Sequence, residues 1–222
     1  MRQAESEFWT SYRVLVKRLL RPVGKSDGFS EAAISEAEQR LGLKLPRLLH
    51  EFYLLTGTRE DINGTYNRLL DPEDLFIDSD TLVFYEENQA ICVWGVALGN
   101  LNEENPPVVR KDSTDEAPVW EADFDHLSQF LTAMLFMQAV NGGMRHHGVG
   151  TAANIQASSD WDVIKLGGSW NNTVLMRDGA VLYIFGNEPG PEVFGAAKSK
   201  RKLLGLEKEF QIAWDYCTLD DE

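Results

Sequence analysis

The stretch Leu82-Val83-Phe84-Tyr85-Glu86-Glu87-Asn88-Gln89-Ala90-Ile91-Cys92-Val93-Trp94-Gly95-Val96-Ala97 decides the fold class. Two short apolar runs flank four polar residues, the pattern of two antiparallel strands joined by a turn. The second run, Ala90 to Ala97, is almost continuously apolar. Strands covered on both faces have that character, so Ile91, Val93 and Trp94 are expected in a central strand buried on both sides. Pro106-Pro107-Val108-Val109 and Val119-Trp120-Glu121 read as further strands nearer an edge, where proline is tolerated.

Upstream of the sheet the period is helical. Phe8, Tyr12, Leu15, Val16, Leu19 and Leu20 recur every three to four residues until Arg21-Pro22 ends the helix. Ser30 is placed to cap a second helix, with Ile34, Ala37 and Leu41 as its stripe and Gly42 at the left-handed position after it. Pro46 opens a third, whose buried face is Leu48, Leu49, Phe52, Tyr53 and Leu55. Downstream, Leu127, Phe130, Leu131, Met134, Leu135 and Gln138 return to helical spacing. Asn141-Gly142-Gly143 is the best boundary, giving a domain over 1–141 and a β-rich extension over 142–222 that either continues the same sheet or stands as its own lobe.

In the extension, Trp161-Asp162-Val163-Ile164 reads as a strand. Val174–Arg177 and Ala180–Phe185 form a hairpin about Asp178-Gly179, a pair suited to a type I′ turn. Residues 206–217 fit a helix through Leu206, Phe210, Ala213 and Trp214, or a strand through Phe210, Ile212, Trp214 and Tyr216; the β-branched and aromatic content favours the strand.

The chain has 222 residues, 43% of them hydrophobic, enough for a sizeable core without staples. Its charge is unusual. Lys+Arg total 21 against 35 Asp+Glu, a net of −14. Residues 71–125 hold fifteen acids and two bases, Arg110 and Lys111, and so carry −13 of it. Such a chain repels phosphate backbones and anionic membrane surfaces and favours basic partners. The two cysteines, Cys92 and Cys217, are too few for a disulfide framework and read as reduced core residues. No signal-peptide pattern opens the chain and no apolar run is long enough for a membrane span. The expectation is a cytoplasmic protein.

No constellation points to catalysis. His146-His147 are adjacent, which points their side chains apart, so a loop pair is expected rather than a metal site. Gly148-Val149-Gly150-Thr151-Ala152-Ala153 matches a loose GxGxxA pattern, but no strand is readable before it, so a flexible loop is expected. Ser169 follows two glycines without the frame of a nucleophile elbow. Lys198, Lys200, Arg201 and Lys202 read as a solvated loop or helix end, or as a counter-charge to the acidic segment. No metal, cofactor or catalytic residue is expected.

One resemblance stands beside this. Ile34-Ser35-Glu36-Ala37-Glu38-Gln39-Arg40-Leu41-Gly42-Leu43-Lys44-Leu45-Pro46, then Leu49, Phe52 and Thr56-Gly57, resembles the opening of the SUKH superfamily, which includes the fungal cell-wall-synthesis regulator and many bacterial immunity proteins. Phe84-Tyr85-Glu86-Glu87-Asn88-Gln89, Trp94, Pro106-Pro107-Val108 and the helix of Leu127, Phe130 and Leu131 follow in that family's order. The likeness covers about residues 5–141. It implies an α+β fold, with helices packed on a curved antiparallel β-sheet, and no catalytic residues. For bacterial members it implies an immunity role, the binding and blocking of a cognate toxin, often a nuclease.

Charge and resemblance together give the expectation of a non-enzymatic immunity protein. It binds a basic toxin domain through Asp78, Asp80, Glu86, Glu87, Glu103, Glu104, Asp115 and Glu116, which lie in turns or beside strand ends. Two alternatives are a regulatory scaffold that neutralises no toxin and an enzyme of unrecognised type.

Overall fold

The computed structural model describes residues 7–153, 155–168, 172–185 and 190–219. Ser169 lies outside them. The helices are α1 (Glu7–Leu19), α2 (Glu31–Leu41), α3 (Arg47–Thr56), α4 (Glu60–Asn63), α5 (Leu127–Gln138) and α6 (Lys200–Phe210). The strands are β1 (Arg68–Leu69), β2 (Phe76–Asp78), β3 (Thr81–Glu86), β4 (Cys92–Ala97), β5 (Val108–Asp112), β6 (Glu121–Phe124), β7 (His146–Ala152), β8 (Asp162–Lys165), β9 (Thr173–Arg177), β10 (Ala180–Phe185), β11 (Glu192–Ala197) and β12 (Ile212–Cys217). The fold is α+β, with two separate antiparallel sheets. One belongs to a central unit, residues 24–134 with 167–169; the other belongs to a terminal unit, residues 1–23, 135–166 and 170–222. The chain thus changes unit inside α5, between Met134 and Leu135, before the glycine pair that marks the boundary in the sequence.

In the central unit, α2 starts where Ala33 N–H donates to the Ser30 hydroxyl at 3.2 Å and stops at Gly42, whose φ of 69° suits glycine. The sheet runs β1-β3-β4-β5-β6, with β2 also paired to β3. One of its faces is fully covered: Leu82, Phe84, Tyr85, Trp94, Val96 and Val108 are all buried. Phe130 of α5 anchors it, its ring centroid 5.4 Å from Phe84, 5.2 Å from Tyr85, 5.7 Å from Trp94 and 5.5 Å from Phe124. Each such pair contributes about 0.5–1.5 kcal/mol beyond area burial.

The other face is covered only at its centre, which corrects the expectation of two buried faces. Trp94 is buried, Val93 is half-buried, and Ile91 lies ahead of β4 and is 40% exposed. The apolar run continues past the strand into the turn, and continuity alone does not mark where a strand ends.

In the terminal unit the order is β12-β7-β11-β10-β9-β8. Leu203, Leu206 and Phe210 of α6 join Leu182, Ile184 and Val193 in its core. α1, read from the sequence with the first domain, belongs here. Arg18 pairs with Asp162 at 2.6 Å and Asp178 at 2.8 Å, and Lys198 Nζ donates to the Lys17 and Leu20 carbonyls at the helix end. The hairpin lies where expected, with Arg177 opposite Ala180. Its turn is not type I′, because only Gly179 has positive φ (72°). Gly179 N–H donates to the Arg18 carbonyl at 3.0 Å, so α1 holds the turn from outside. Residues 200–217 are helix and then strand, so both periodicities seen in 206–217 are real but consecutive.

His146–Ala152 is not a loop but β7, flanked by β11 and β12. Its glycines hid it, and packing requires them. A Cβ on Gly150 would stand 2.1 Å from the Ala213 carbonyl oxygen, and one on Gly148 would stand 2.7 Å from that of Tyr216. Gly150→Ala is expected to lower unfolding stability by about 1–3 kcal/mol, the usual cost of overpacking. The urea midpoint measures it, and an unchanged midpoint would show that β12 can move away.

Candidate functional site

The eight acidic residues all lie in the central unit, but strand direction separates them. Asp78, Asp80, Glu103 and Glu104 adjoin the end of the sheet marked by Thr81, Ala97 and Val108. Glu86, Glu87, Asp115 and Glu116 adjoin the opposite end, marked by Cys92 and Asp112. The six residues of β3 set these ends roughly 17–20 Å apart along the strand. The eight therefore form two groups.

Several are held internally. Asp78 pairs with Lys111 at 2.6 Å, Glu86 with Arg68 at 2.8 Å and Glu104 with Arg47 at 3.5 Å. Glu87 accepts from Gln89 N–H at 2.7 Å, and Glu103 from the Asn100 amide at 2.6 Å. Asp80, Asp115 and Glu116 are exposed.

The Asp78–Lys111 pair reports the shape of the open face. Phe76 and Asp78 on β2, Thr81 and Val83 on β3, Val93, Gly95 and Ala97 on β4, and Val109 and Lys111 on β5 are cross-strand partners and share that face. β2 and β5 are three strand spacings apart, about 14 Å in a flat sheet, and the two residues are also offset along the strands, Asp78 lying level with Ala97 and Lys111 with Val93. A lysine and an aspartate meet across that gap only if the sheet curls, and Thr81 and Val83 on the same face are buried. Lys111 Nζ also lies 5.9 Å from the centre of the Trp120 ring.

Glu103 and Glu104 overhang an open cavity of about 540 Å³, which is also lined by Glu31, Glu38, Lys44, Arg47, His50 and Glu51. Glu38 is buried at its base. It accepts from Lys44 Nζ at 2.5 Å and from Leu45 N–H at 3.0 Å, and His50 Nδ1 lies 3.5 Å away. Burial pushes the Glu38 carboxyl up, but Lys44, the Leu45 amide and His50 together outweigh it and hold the carboxyl below its ordinary value. A second buried network joins Arg59 to Asp27 at 3.1 Å and to Asp61 at 2.6 Å. Neither network is readable from the sequence, where the partners are scattered. The motif Glu38 to Pro46 marks the first only as a helix end.

The histidine pair sits on β7 rather than in the expected loop: His146 is buried, and His147 Nδ1 is 3.2 Å from the Met144 carbonyl oxygen. Both cysteines are buried thiols. No helix among the described residues is long and apolar enough to cross a membrane. No protein-family model matches the chain, and no curated protein matches it.

Two measurements follow from the titrating groups. Glu38 binds protons less readily folded than unfolded, so its contribution to stability is complete above the ordinary value of 4.5 and is lost as pH falls through the lower folded value. Glu38→Gln should flatten this acid limb in pH-dependent urea unfolding; an unchanged limb would assign it to other carboxylates. Burial pushes the Cys92 thiol up to about 12, so iodoacetamide at pH 8 should leave Cys92 unmodified in native protein and alkylate it after unfolding. Peptide mass spectrometry reads both states.

Proposed function

We propose that the chain is a non-catalytic immunity protein that binds a basic toxin domain through the acidic surface of its central unit. One observation carries this. The central unit holds 22 Asp and Glu against eight Lys and Arg, a net of −14, while the terminal unit holds 13 of each and nets zero. The whole excess charge of the protein therefore belongs to one compact body. A body so charged steers basic partners to itself and repels polyanions. The likeness of residues 5–141 to the SUKH superfamily supports the toxin as that partner. Nucleases bind nucleic acid through basic clefts, and clustered carboxylates compete for such a cleft in the way phosphates do.

The test is co-expression with the toxic domain encoded by the adjoining gene. Protection of growth and recovery of a stoichiometric complex are expected; a toxin that kills unhindered overturns the proposal. Because steering is screened, association should slow as the Debye length shrinks from about 10 Å at 0.1 M salt to about 3 Å at 1 M. Reversing Glu86 and Glu87 to lysine, and separately Glu103 and Glu104, tests the two ends of the sheet. The end that contacts toxin should lose association rate and salt dependence. No change at either end removes these four residues from the mechanism.

A further inference from the structure

The acidic unit already holds one basic side chain between two groups suited to it. Lys111 Nζ is 2.6 Å from Asp78 Oδ2 and 5.9 Å from the Trp120 ring centre. A carboxylate and an aromatic face converging on one cation recognise an arginine or lysine head group. The Trp120 indole N–H is closed off from solvent and has no acceptor among the described residues. A buried donor left unmade is costly, so a shift of the indole that brings it to an acceptor on an incoming segment is favoured. Exposed apolar residues border the place: Phe76 shares the face of Asp78, Ile77 follows it, and Val119 precedes Trp120.

On the reading of the central unit as a binder of basic proteins, we infer that Asp78 and Trp120 form the seat for an arginine on an incoming basic segment, with Lys111 as the internal stand-in it displaces. The Asp78 and Lys111 side chains are 30% and 25% exposed, so the pair is wet enough to exchange. An ion pair still reached by water contributes modest net stability, so opening it costs little. Arginine offers more than the lysine it replaces. Its planar fork makes two bonds to one carboxylate and stacks flat on an indole, whereas an ammonium is a point charge. The seat therefore prefers arginine to lysine and rejects a neutral isostere.

The experiment titrates the capped peptide acetyl-Gly-Arg-Gly-amide, with its lysine and citrulline counterparts, into the full chain at low salt. The readout is the indole N–H resonance of Trp120, identified by its loss in Trp120→Phe. The arginine peptide should shift it most, the lysine peptide less and the citrulline peptide not at all. Lys111→Met, with Lys111→Gln as a second variant of the same loss, should bind the arginine peptide roughly two- to fivefold more tightly, the range an exposed ion pair allows. Asp78→Asn should abolish the shift. Equal binding by wild type and both Lys111 variants, or binding that moves only resonances away from Trp120, overturns the seat. Growth protection by co-expression decides the toxin reading independently, so either can fail alone.

Discussion

The central unit depends on the ring of Phe130. From α5 it meets aromatic rings of β3, β4 and β6 together, in mostly edge-to-face contacts. Those contacts fix which face of the sheet is covered. Side chains alternate along these strands except at the register shifts between Val83 and Tyr85 and between Val108 and Val109, so covering one face turns the partner residues outward. Phe76, Asp78, Val93 and Lys111 take their positions from that choice. The chemistry of the open face is thus set from the buried side.

Curling then gives the open face its depth. Gly95 sits at the centre, where a Cβ would stand 2.4 Å from the Thr81 methyl and 2.6 Å from the Leu82 carbonyl oxygen. Its lack of a side chain lets β3 press close, and the irregular register between Val83 and Tyr85 adds local twist. Opposite rims then approach until Asp78 and Lys111 meet. A flat sheet of the same sequence would leave both charges in water and Trp120 without its cation.

What the sequence made legible follows from the range of the interactions involved. Ser30, Gly42 and Pro46 act within a few residues, and the helices they bound were readable. The β9–β10 hairpin was readable too, but its turn type was not, since Arg18 lies 160 residues away from Asp178. β7 was missed because Gly148 and Gly150 weaken a strand locally and are needed only once β12 packs on them. At the candidate site, the acidic stretch announced its charge but not its division between two strand ends. Lys111 and Trp120 carry no spacing signal toward Asp78, being a lone lysine and a lone tryptophan far from it in sequence; only the curled sheet brings Lys111 to both.

Net charge alone does not say how the central unit meets an approaching partner. Of its eight Lys and Arg, six are engaged inside the unit by contacts among the described residues. Lys44 holds Glu38, Arg47 holds Glu51 and Glu104, Arg59 holds Asp27 and Asp61, Arg68 holds Glu86, Lys111 holds Asp78, and Arg40 donates to the Pro72 and Leu75 carbonyls. Their charge is spent on near neighbours at contact distance, where it organises loops and helix ends. A phosphate backbone approaching the unit meets carboxylates and few cations able to turn outward, so repulsion is local as well as global. A basic protein meets the converse: carboxylates already oriented by the cations that hold them, and therefore with less side-chain freedom to lose on binding. Internal pairing lowers the field by a fraction and gains preorganisation in exchange, the balance that the proposed binding of basic proteins requires.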